Sequence, residues 1–246
     1  MPSRSHFELE SRTIHIWPIR TAASIGLVST FERLLAPHEQ ERAAEFHSDN
    51  HRISFIVARG ALRTLLGSYL DTSASAIHFE YACNGKPTLA GMPITFNVSH
   101  SGDLAVFAFT RGCEIGIDVE QIRPIADMQS IAGRFFCPDE AAELNRIPAQ
   151  ERELAFFLCW TRKEAYLKAI GAGLSVPLNE FCVTFRSGER ARFIHLGGNE
   201  AAANDWMLHD LRLAPDYAAA LAYRDTERLL EVLPLIHAAE LPGFLA

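Results

Sequence analysis

The sequence predicts an α+β protein of two similar halves, each a small antiparallel sheet packed on a long helix. Its 246 residues suffice for two small domains, and hydrophobic residues make up 48% of the chain, as in proteins with a buried core. The same order of elements occurs twice along the chain: a strand, short helices, one long helix and then antiparallel strands. We therefore divide the chain into residues 1–113 and 114–246.

The first half begins with residues 11–16, whose weak alternation of polar and apolar side chains predicts an edge strand. A helix is predicted from Pro37, because proline suits an opening turn. A longer helix is predicted over residues 50–69, where apolar residues recur every three or four positions. Strands are expected at 77–81, 95–98 and 104–109.

The second half repeats this order. A strand is predicted at residues 115–120, and short helices follow at 128–136 and 139–146. The long helix is predicted over residues 151–170. The antiparallel strands of this half are expected at 181–186, 192–196, 206–213 and 218–223.

The charge of the chain excludes one class of partner and its hydropathy excludes another. Lys and Arg number 23 against 30 Asp and Glu, a formal net charge of −7, whereas nucleic-acid binding normally needs a basic surface. No apolar stretch approaches the length of a membrane span. We expect neither nucleic acid nor a membrane as a partner.

The five cysteines are widely spaced and form no Cys-x-x-Cys motif, which fits neither a disulfide framework nor a zinc site. They are interpreted as free, mostly buried thiols in a reducing compartment. Residues 1–17 mix charged and polar side chains and show no signal peptide. The sequence therefore predicts a soluble cytoplasmic protein.

Two acids lie two positions apart in the predicted strand Ile-Gly-Ile-Asp-Val-Glu. Side chains alternate along a strand, so Asp118 and Glu120 share one face with Gly116, roughly 7 Å apart. That spacing lets both acids bind one hard cation. Mg²⁺ fits such a site, because it takes oxygen ligands and often completes its shell with substrate phosphates. Taken alone, the pattern also fits a solvated strand face that carries two acids.

Glu164 and Lys168 lie one turn apart on the second long helix, within the segment Trp-Thr-Arg-Lys-Glu-Ala-Tyr-Leu-Lys. Beside Trp160, Glu164 is expected at the border of the buried stripe, in a partly desolvated cleft. Alternatively, Glu164 and Lys168 form an exposed ion pair that stabilises the helix by about 0.2–0.5 kcal/mol and has no role in catalysis.

Several groups in the first half are suited to binding an anion. Ser99 and His100 lie in a predicted hairpin turn, and Gly85, Lys86 and Pro87 form a stiff turn with a cation at its centre. Arg52 and Arg59 share one face of the first long helix, and Arg42 precedes them. No Gly-rich phosphate loop occurs, so phosphate binding would depend on these basic side chains and a metal. Individually, each also fits an ordinary surface residue.

The joint order of these motifs closely resembles the Sfp-type 4′-phosphopantetheinyl transferases. The motifs follow in the order GKP, FNVSHSG, IGIDVE, FF-x-x-x-E and WTRKEAYLKAIGAGLS. The resemblance as a whole covers residues 46–178. The resemblance implies two α+β halves related by a pseudo-twofold axis, with coenzyme A in the cleft between them. It also implies transfer of the phosphopantetheine arm to a serine of an apo acyl or peptidyl carrier protein, with release of adenosine 3′,5′-bisphosphate. A chain that supplies both sides of the cleft is expected to act as a monomer.

The resemblance also implies roles for individual residues. Asp118, Glu120 and Glu164 correspond to the Mg²⁺ ligands, and Asp118, Glu164 and Lys168 are implied to be catalytic. Glu164, or a water it holds, is the candidate base, and Lys168 contacts the phosphates. The residues implied to bind coenzyme A are Arg42, Arg52, Gly85, Lys86, Pro87, Ser99, His100 and Lys168.

Two other functions fit the same residues. One is a coenzyme A-binding or carrier-binding module without catalysis, and the other is a Mg²⁺-dependent phosphoanhydride hydrolase. For a carrier protein, we expect docking on a local patch of Arg123, Met128, Ile131 and Arg134, just after the acid-bearing strand.

Overall fold

The computed structural model describes residues 8–23, 25–82, 85–89, 91 and 93–241, and these form an α+β fold, as the sequence predicts. The first half of the chain contains β1 (Thr13–Arg20), α1 (Ile25–Glu32), α2 (Pro37–Ala44), α3 (Asp49–Leu70), β2 (Glu80–Tyr81), β3 (Pro87–Thr88), β4 (Thr95–Ser101) and β5 (Leu104–Thr110). The second half contains β6 (Ile115–Gln121), α4 (Met128–Phe135), α5 (Pro138–Arg146), α6 (Ala149–Ile170), β7 (Phe181–Val183), β8 (Phe193–Leu196), α7 (Glu200–Ala203), β9 (Met207–Asp210), β10 (Tyr217–Tyr223), β11 (Leu229–Val232) and β12 (Ile236–His237).

The first sheet has five strands, in the order β11-β1-β5-β4, with β12 also paired to β1. Strand β1 runs parallel to β11 and β12 and antiparallel to β5. The prediction of an edge strand at residues 11–16 is therefore wrong. The strand is central and almost wholly buried, because two short strands from the far end of the chain cover its second edge.

The predicted boundary between residues 113 and 114 falls in the connection from β5 to β6. Strands β11 and β12 follow the second half in sequence and nevertheless complete the first sheet. The first half thus takes part of its structure from residues 229–237.

The second half carries a three-stranded antiparallel sheet, in the order β6-β10-β9, and a separate hairpin of β7 and β8. The predicted strands of this half form, although those at 181–186 and 206–213 are shorter than expected. In the first half, the predicted strand at 77–81 is reduced to Glu80–Tyr81.

Each long helix covers the sheet of its own half. Both α3 and α6 have 22 residues, within two positions of their predicted ends. Apolar side chains of α3 pack against β1 and β5 in one core cluster, and those of α6 pack with β10 in a second. A third cluster joins the two sheets, with β1 and β5 contributing one side and β6 and β10 the other.

Strands β4 and β6 meet where the two sheets join, and side chains of β4 bridge them. Asn97 Oδ1 accepts from the Ile117 amide at 2.9 Å. The hydroxyls of Ser99 and Ser101 accept from the amides of Val119 and Gln121 at 3.2 and 3.1 Å. These bonds give β6 a fixed position relative to the first half.

A disulfide joins Cys137, which precedes α5, to Cys182 in β7, with the Cα atoms 5.9 Å apart. The expectation of free thiols is therefore wrong for this pair, and it stands for Cys113 and Cys159. Both ends of the bridge are held by Glu140, whose carboxylate accepts from the amides of Cys137 and Val183. Cys83 lies outside the described residues.

Candidate active site

Asp118 lies in β6, is only 4% exposed, and forms the centre of the site. Its Oδ1 accepts hydrogen bonds from Lys168 Nζ at 2.7 Å and from Ser99 Oγ at 2.9 Å. Lys168 Nζ also donates to Ser99 Oγ at 2.8 Å. Three of the predicted site residues thus contact one another directly.

The other two acids surround this centre. Glu120, also in β6, accepts a hydrogen bond from Ser101 Oγ at 2.7 Å. Burial raises the pKa of Glu120 above its ordinary value, and the negative charge of Asp118 adds to the rise. Burial likewise raises the pKa of Glu164, and the charges of Asp118 and Glu120 act in the same direction. The three acids therefore lie within electrostatic reach of one another, as the sequence predicts.

A glycine allows the strand and the helix of the site to approach closely. A Cβ atom at Gly116 would overlap the backbone of α6 at Ala165 and Ala169. Because only glycine lacks this atom, β6 can lie against the last turns of α6, and Glu164 and Lys168 reach Asp118.

The acid cluster suits a divalent cation. Asp118 Oδ2 is buried, and no residue in the described part of the chain gives it a hydrogen bond. A buried carboxylate oxygen without a donor is costly unless a cation or a ligand satisfies it. Asp118, Glu120 and Glu164 carry the hard oxygen ligands that Mg²⁺ prefers, but in this structure their carboxylate oxygens do not all lie within 4.8 Å of one another.

A cavity of about 870 Å³ lies beside this cluster. It includes four of the predicted ligand-binding residues, Arg42, Gly85, Pro87 and His100. Burial and the positive charge of Lys168 lower the pKa of His100. His100 lines the cavity, and the charges of Lys168 and Asp118 act on its pKa, so the cavity and the acid cluster lie close to each other at this residue.

Arg59 is a cavity residue that the sequence did not single out among the binding residues. Its guanidinium lies 5.2 Å from the ring centre of Phe79 and 5.7 Å from that of Phe55. Its Nε is 3.5 Å from Glu39, while its buried Nη1 meets no hydrogen-bond acceptor among the described residues. This unsatisfied donor points to an anion in the cavity. Arg59 lies seven positions after Arg52, on the same helix face, and this spacing was the sequence signal that could have identified it as a binding residue.

Arg52 and Lys86, both predicted to bind coenzyme A, make contacts within the chain. Arg52 is not among the residues that line the cavity, and its guanidinium contacts Asp49 at 3.4 Å. Lys86 Nζ donates to backbone carbonyls of Ile115, Lys168 and Ala169, near the end of α6. Burial lowers the pKa of Lys86 to about 8. The structure thus places Lys86 as a link between the two halves, and its predicted contact with coenzyme A stays a prediction.

Two family models match the chain. The 4′-phosphopantetheinyl transferase superfamily model covers residues 114–222, and the N-terminal model of 4′-phosphopantetheinyl transferase covers residues 26–111. None of the described helices combines the length and the hydropathy that a membrane crossing requires.

The curated relatives of this chain include three that are each 36% identical to it over the aligned residues. The 4′-phosphopantetheinyl transferase HetI of Nostoc sp. is 36% identical over 220 residues, which is 88% of this chain and 89% of HetI. The transferase psf-1 of Bacillus pumilus is 36% identical over 76% of this chain and 78% of its own length. Sfp of Bacillus subtilis is 36% identical over 62% of this chain and 72% of its own length.

The comparisons define the class as a transferase, and its site consists of an acid cluster near a cavity whose lining includes Arg42, Arg59 and three glutamates. The chain belongs to the 4′-phosphopantetheinyl transferase superfamily and is an enzyme of that class. The resemblance seen in the sequence is confirmed.

Proposed function

We propose that the enzyme transfers the 4′-phosphopantetheine arm of coenzyme A to a serine of an apo acyl or peptidyl carrier protein, in a Mg²⁺-dependent reaction. Adenosine 3′,5′-bisphosphate is the second product. This proposal is carried by the buried carboxylate of Asp118. Its Oδ1 accepts a hydrogen bond from Lys168, whereas its Oδ2 has no donor among the described residues. The nearby cavity contains Arg59, whose Nη1 has no acceptor among the described residues.

The cavity residues fit the nucleotide end of coenzyme A. Arg42 and Arg59 supply positive charge for its phosphate groups, and His100 lines the same cavity, where the charges of Lys168 and Asp118 act on it. His100 can gain a proton when an anion binds, because the anion opposes the influences that lower its pKa. Gly85 and Pro87 form part of the cavity wall, where the adenine would pack.

Asp118, Glu120 and Glu164 would hold the metal ion. When bound there, Mg²⁺ neutralises charge on the pyrophosphate of coenzyme A. Lys168 is held by Asp118 and Ser99 at the same point and can donate a hydrogen bond to the departing phosphate.

The reaction exchanges one bond to phosphorus for another. The carrier serine Oγ bonds to the phosphorus that carries the pantetheine arm, and the anhydride P–O bond breaks. The bisphosphate leaves with the electron pair of that bond. The serine proton passes to Glu164, or to a water that Glu164 holds, and the raised pKa of Glu164 suits this acceptor role.

One chain contributes both the cavity and the acid cluster, which supports a monomeric enzyme. The proposed substrate, coenzyme A, is a cytoplasmic metabolite, so we expect the enzyme to act in the cytoplasm.

A mass-shift assay against a panel of apo carrier proteins tests the proposal. With coenzyme A and Mg²⁺, a carrier should gain the mass of one phosphopantetheine arm, and EDTA should prevent the gain. Asp118→Ala and Glu164→Ala should lower kcat by orders of magnitude. Glu151→Ala, an exposed acid at the start of the same helix α6, should leave kcat unchanged.

Other results would assign another function. Binding of coenzyme A without a mass shift on any carrier would indicate a binding module that lacks catalysis. Release of adenosine bisphosphate with no carrier present would indicate a hydrolase.

A further inference from the structure

Two serines of β4 face the two acids of β6 in the same arrangement. Ser99 Oγ donates to Asp118 and accepts from the amide of Val119. Ser101 Oγ donates to Glu120 and accepts from the amide of Gln121. In each case, the hydroxyl binds the carboxylate of one residue and the backbone N–H of the next. We call these contacts the serine–acid pairs.

The chemistry of a hydroxyl group fixes the direction of these bonds. A serine hydroxyl has one proton to donate and two lone pairs that accept. A backbone N–H can only donate, so the hydroxyl must turn a lone pair towards it and its proton towards the carboxylate. Lys168 donates to the second lone pair of Ser99, and the hydrogen-bonding capacity of that hydroxyl is then full.

Each pair therefore fixes one oxygen of an acid and leaves the other available. Asp118 Oδ1 receives the bonds of Ser99 and Lys168, while no donor in the described part of the chain reaches the buried Oδ2. Glu120 is held through Oε2. Because β4 is tied to β6 along its length, the two carboxylates are oriented by the first half of the chain.

We propose that Ser99 and Ser101 are positioning residues, which bind one carboxylate oxygen of Asp118 and of Glu120 and leave the other oxygen of each acid available for a divalent cation. This inference rests on the proposed Mg²⁺-dependent function. It also gives Ser99 a different role from the phosphate contact that the sequence implies, since its hydroxyl is already saturated within the chain.

The chain contains a matched control for this role. Asn97 bridges the same two strands through the amide of Ile117, but the residue that precedes Ile117 is Gly116, which has no carboxylate. Removing the Asn97 side chain should weaken the link between β4 and β6 without changing the orientation of an acid.

The direct test measures Mn²⁺ binding to the protein in the presence of coenzyme A. The electron paramagnetic resonance signal of free Mn²⁺ reports how much Mn²⁺ is unbound, and added Mg²⁺ shows whether the two ions compete for the same site. Loss of a hydrogen-bond partner of a metal ligand typically weakens metal binding by about 10–100-fold. We expect Ser101→Ala and Ser101→Val to raise the Kd for Mn²⁺ by about 10-fold or more. Ser101→Thr keeps the hydroxyl and should retain the wild-type Kd, and Asn97→Ala should lower Tm with the Kd unchanged.

Threonine and valine have nearly the same shape, so their comparison isolates the hydroxyl even if Ser101→Ala folds poorly. Equal Mn²⁺ affinities for Ser101→Thr and Ser101→Val would overturn the proposal, as would an Asn97→Ala variant that weakens Mn²⁺ binding as much as Ser101→Val. A wild-type protein that binds no Mn²⁺ with coenzyme A present would instead contradict the proposed function itself.

Discussion

Glu164 illustrates a conflict between stability and chemistry at a single residue. Burial and the charge of Asp118 raise the pKa of Glu164 above its ordinary value of 4.5, so the ionised form is disfavoured in the folded protein. A folded state that binds a proton more tightly than the unfolded state loses stability as the pH rises from the unfolded to the folded pKa. The ionised Glu164 therefore destabilises the protein at neutral pH when no metal is bound.

The substitution Glu164→Gln should consequently stabilise the metal-free protein while it abolishes transfer. We expect Tm to rise, and for a chain of this size each 1 kcal/mol of added stability would correspond to roughly 2–4 °C. The difference from the wild type should shrink as the pH falls through 4.5, because below that value the wild-type acid is protonated in the unfolded state as well as in the folded state. Thermal unfolding at several pH values without metal checks this, and a Gln variant less stable than the wild type at pH 8 would contradict it.

Arg59 and Arg52 offer a second comparison at this scale. Arg59 lines the cavity with an unsatisfied Nη1, whereas Arg52 contacts Asp49 outside the lining. A hydrogen bond to a charged partner contributes about 1.5–3 kcal/mol, which corresponds to roughly a 10–100-fold change in affinity. Arg59→Leu should raise the Kd for coenzyme A by that factor, measured by calorimetry. Arg52→Leu is the matched control and should raise the Kd for coenzyme A less than Arg59→Leu does. A larger rise in Kd for Arg52→Leu would contradict this expectation and support the sequence prediction that Arg52 binds coenzyme A.

The sequence predicted which residues are candidates for the site better than it predicted what their side chains contact. Spacing predicted that Asp118 and Glu120 share a strand face and that Glu164 and Lys168 lie one helical turn apart, and the resemblance to the family singled these four residues out. Arg52 and Arg59 share one helix face, so spacing could not distinguish them. Lys86 could not be placed either, since its partners are backbone carbonyls that leave no signal in the sequence.

Among the elements, the contact between β6 and α6 depends most on one position. A side chain at Gly116 would collide with the backbone of α6, which cannot move as a flexible side chain could. Gly116→Ala should therefore separate the strand from the helix, lower Tm strongly and reduce kcat, as measured by thermal unfolding and the mass-shift assay. Gly133→Ala in α4 is the matched control, because open space surrounds that position. It should raise stability by roughly 0.5–1 kcal/mol. Equal stability of the two variants would exclude this close contact.

Periodicity predicted the long helices well because each has a core-facing stripe that extends over many turns. It did not pair Cys137 with Cys182, since the bridge depends on Glu140 bringing a helix start and a strand together. It also missed the central position of β1, because the strands that cover its edge are short and distant in sequence.

At the scale of the whole molecule, the net charge of −7 raises the question of where an acidic carrier would dock. The predicted patch contains the exposed Arg123 and Arg134, with Met128 and Ile131 half-buried beside them. The positive charge of Arg123 acts on Glu120, so this patch adjoins the acid cluster. Its position would bring a docked carrier close to the residues proposed to act on its serine.

Exchanging both arginines tests the patch. Arg123→Glu with Arg134→Glu should raise the KM for the carrier protein and leave the Kd for coenzyme A unchanged, and the effect should weaken at high salt because surface charges are screened. Arg146→Glu, an exposed arginine of α5, is the control for a change in net charge. An unchanged KM in the double variant would mean that the carrier docks elsewhere.

The parallel pairing of β1 with β11 has a consequence for how the protein is made. Thr13 pairs with Leu229, so during synthesis β1 must wait for a strand that follows the whole sheet of the second half. Until then, one edge of β1 carries unpaired amides and carbonyls, which can pair with another chain. A fragment that ends before residue 229 would keep that edge open and should aggregate. The first half of the transferase therefore completes its sheet only after residues 229–237, which follow the second half, have been made.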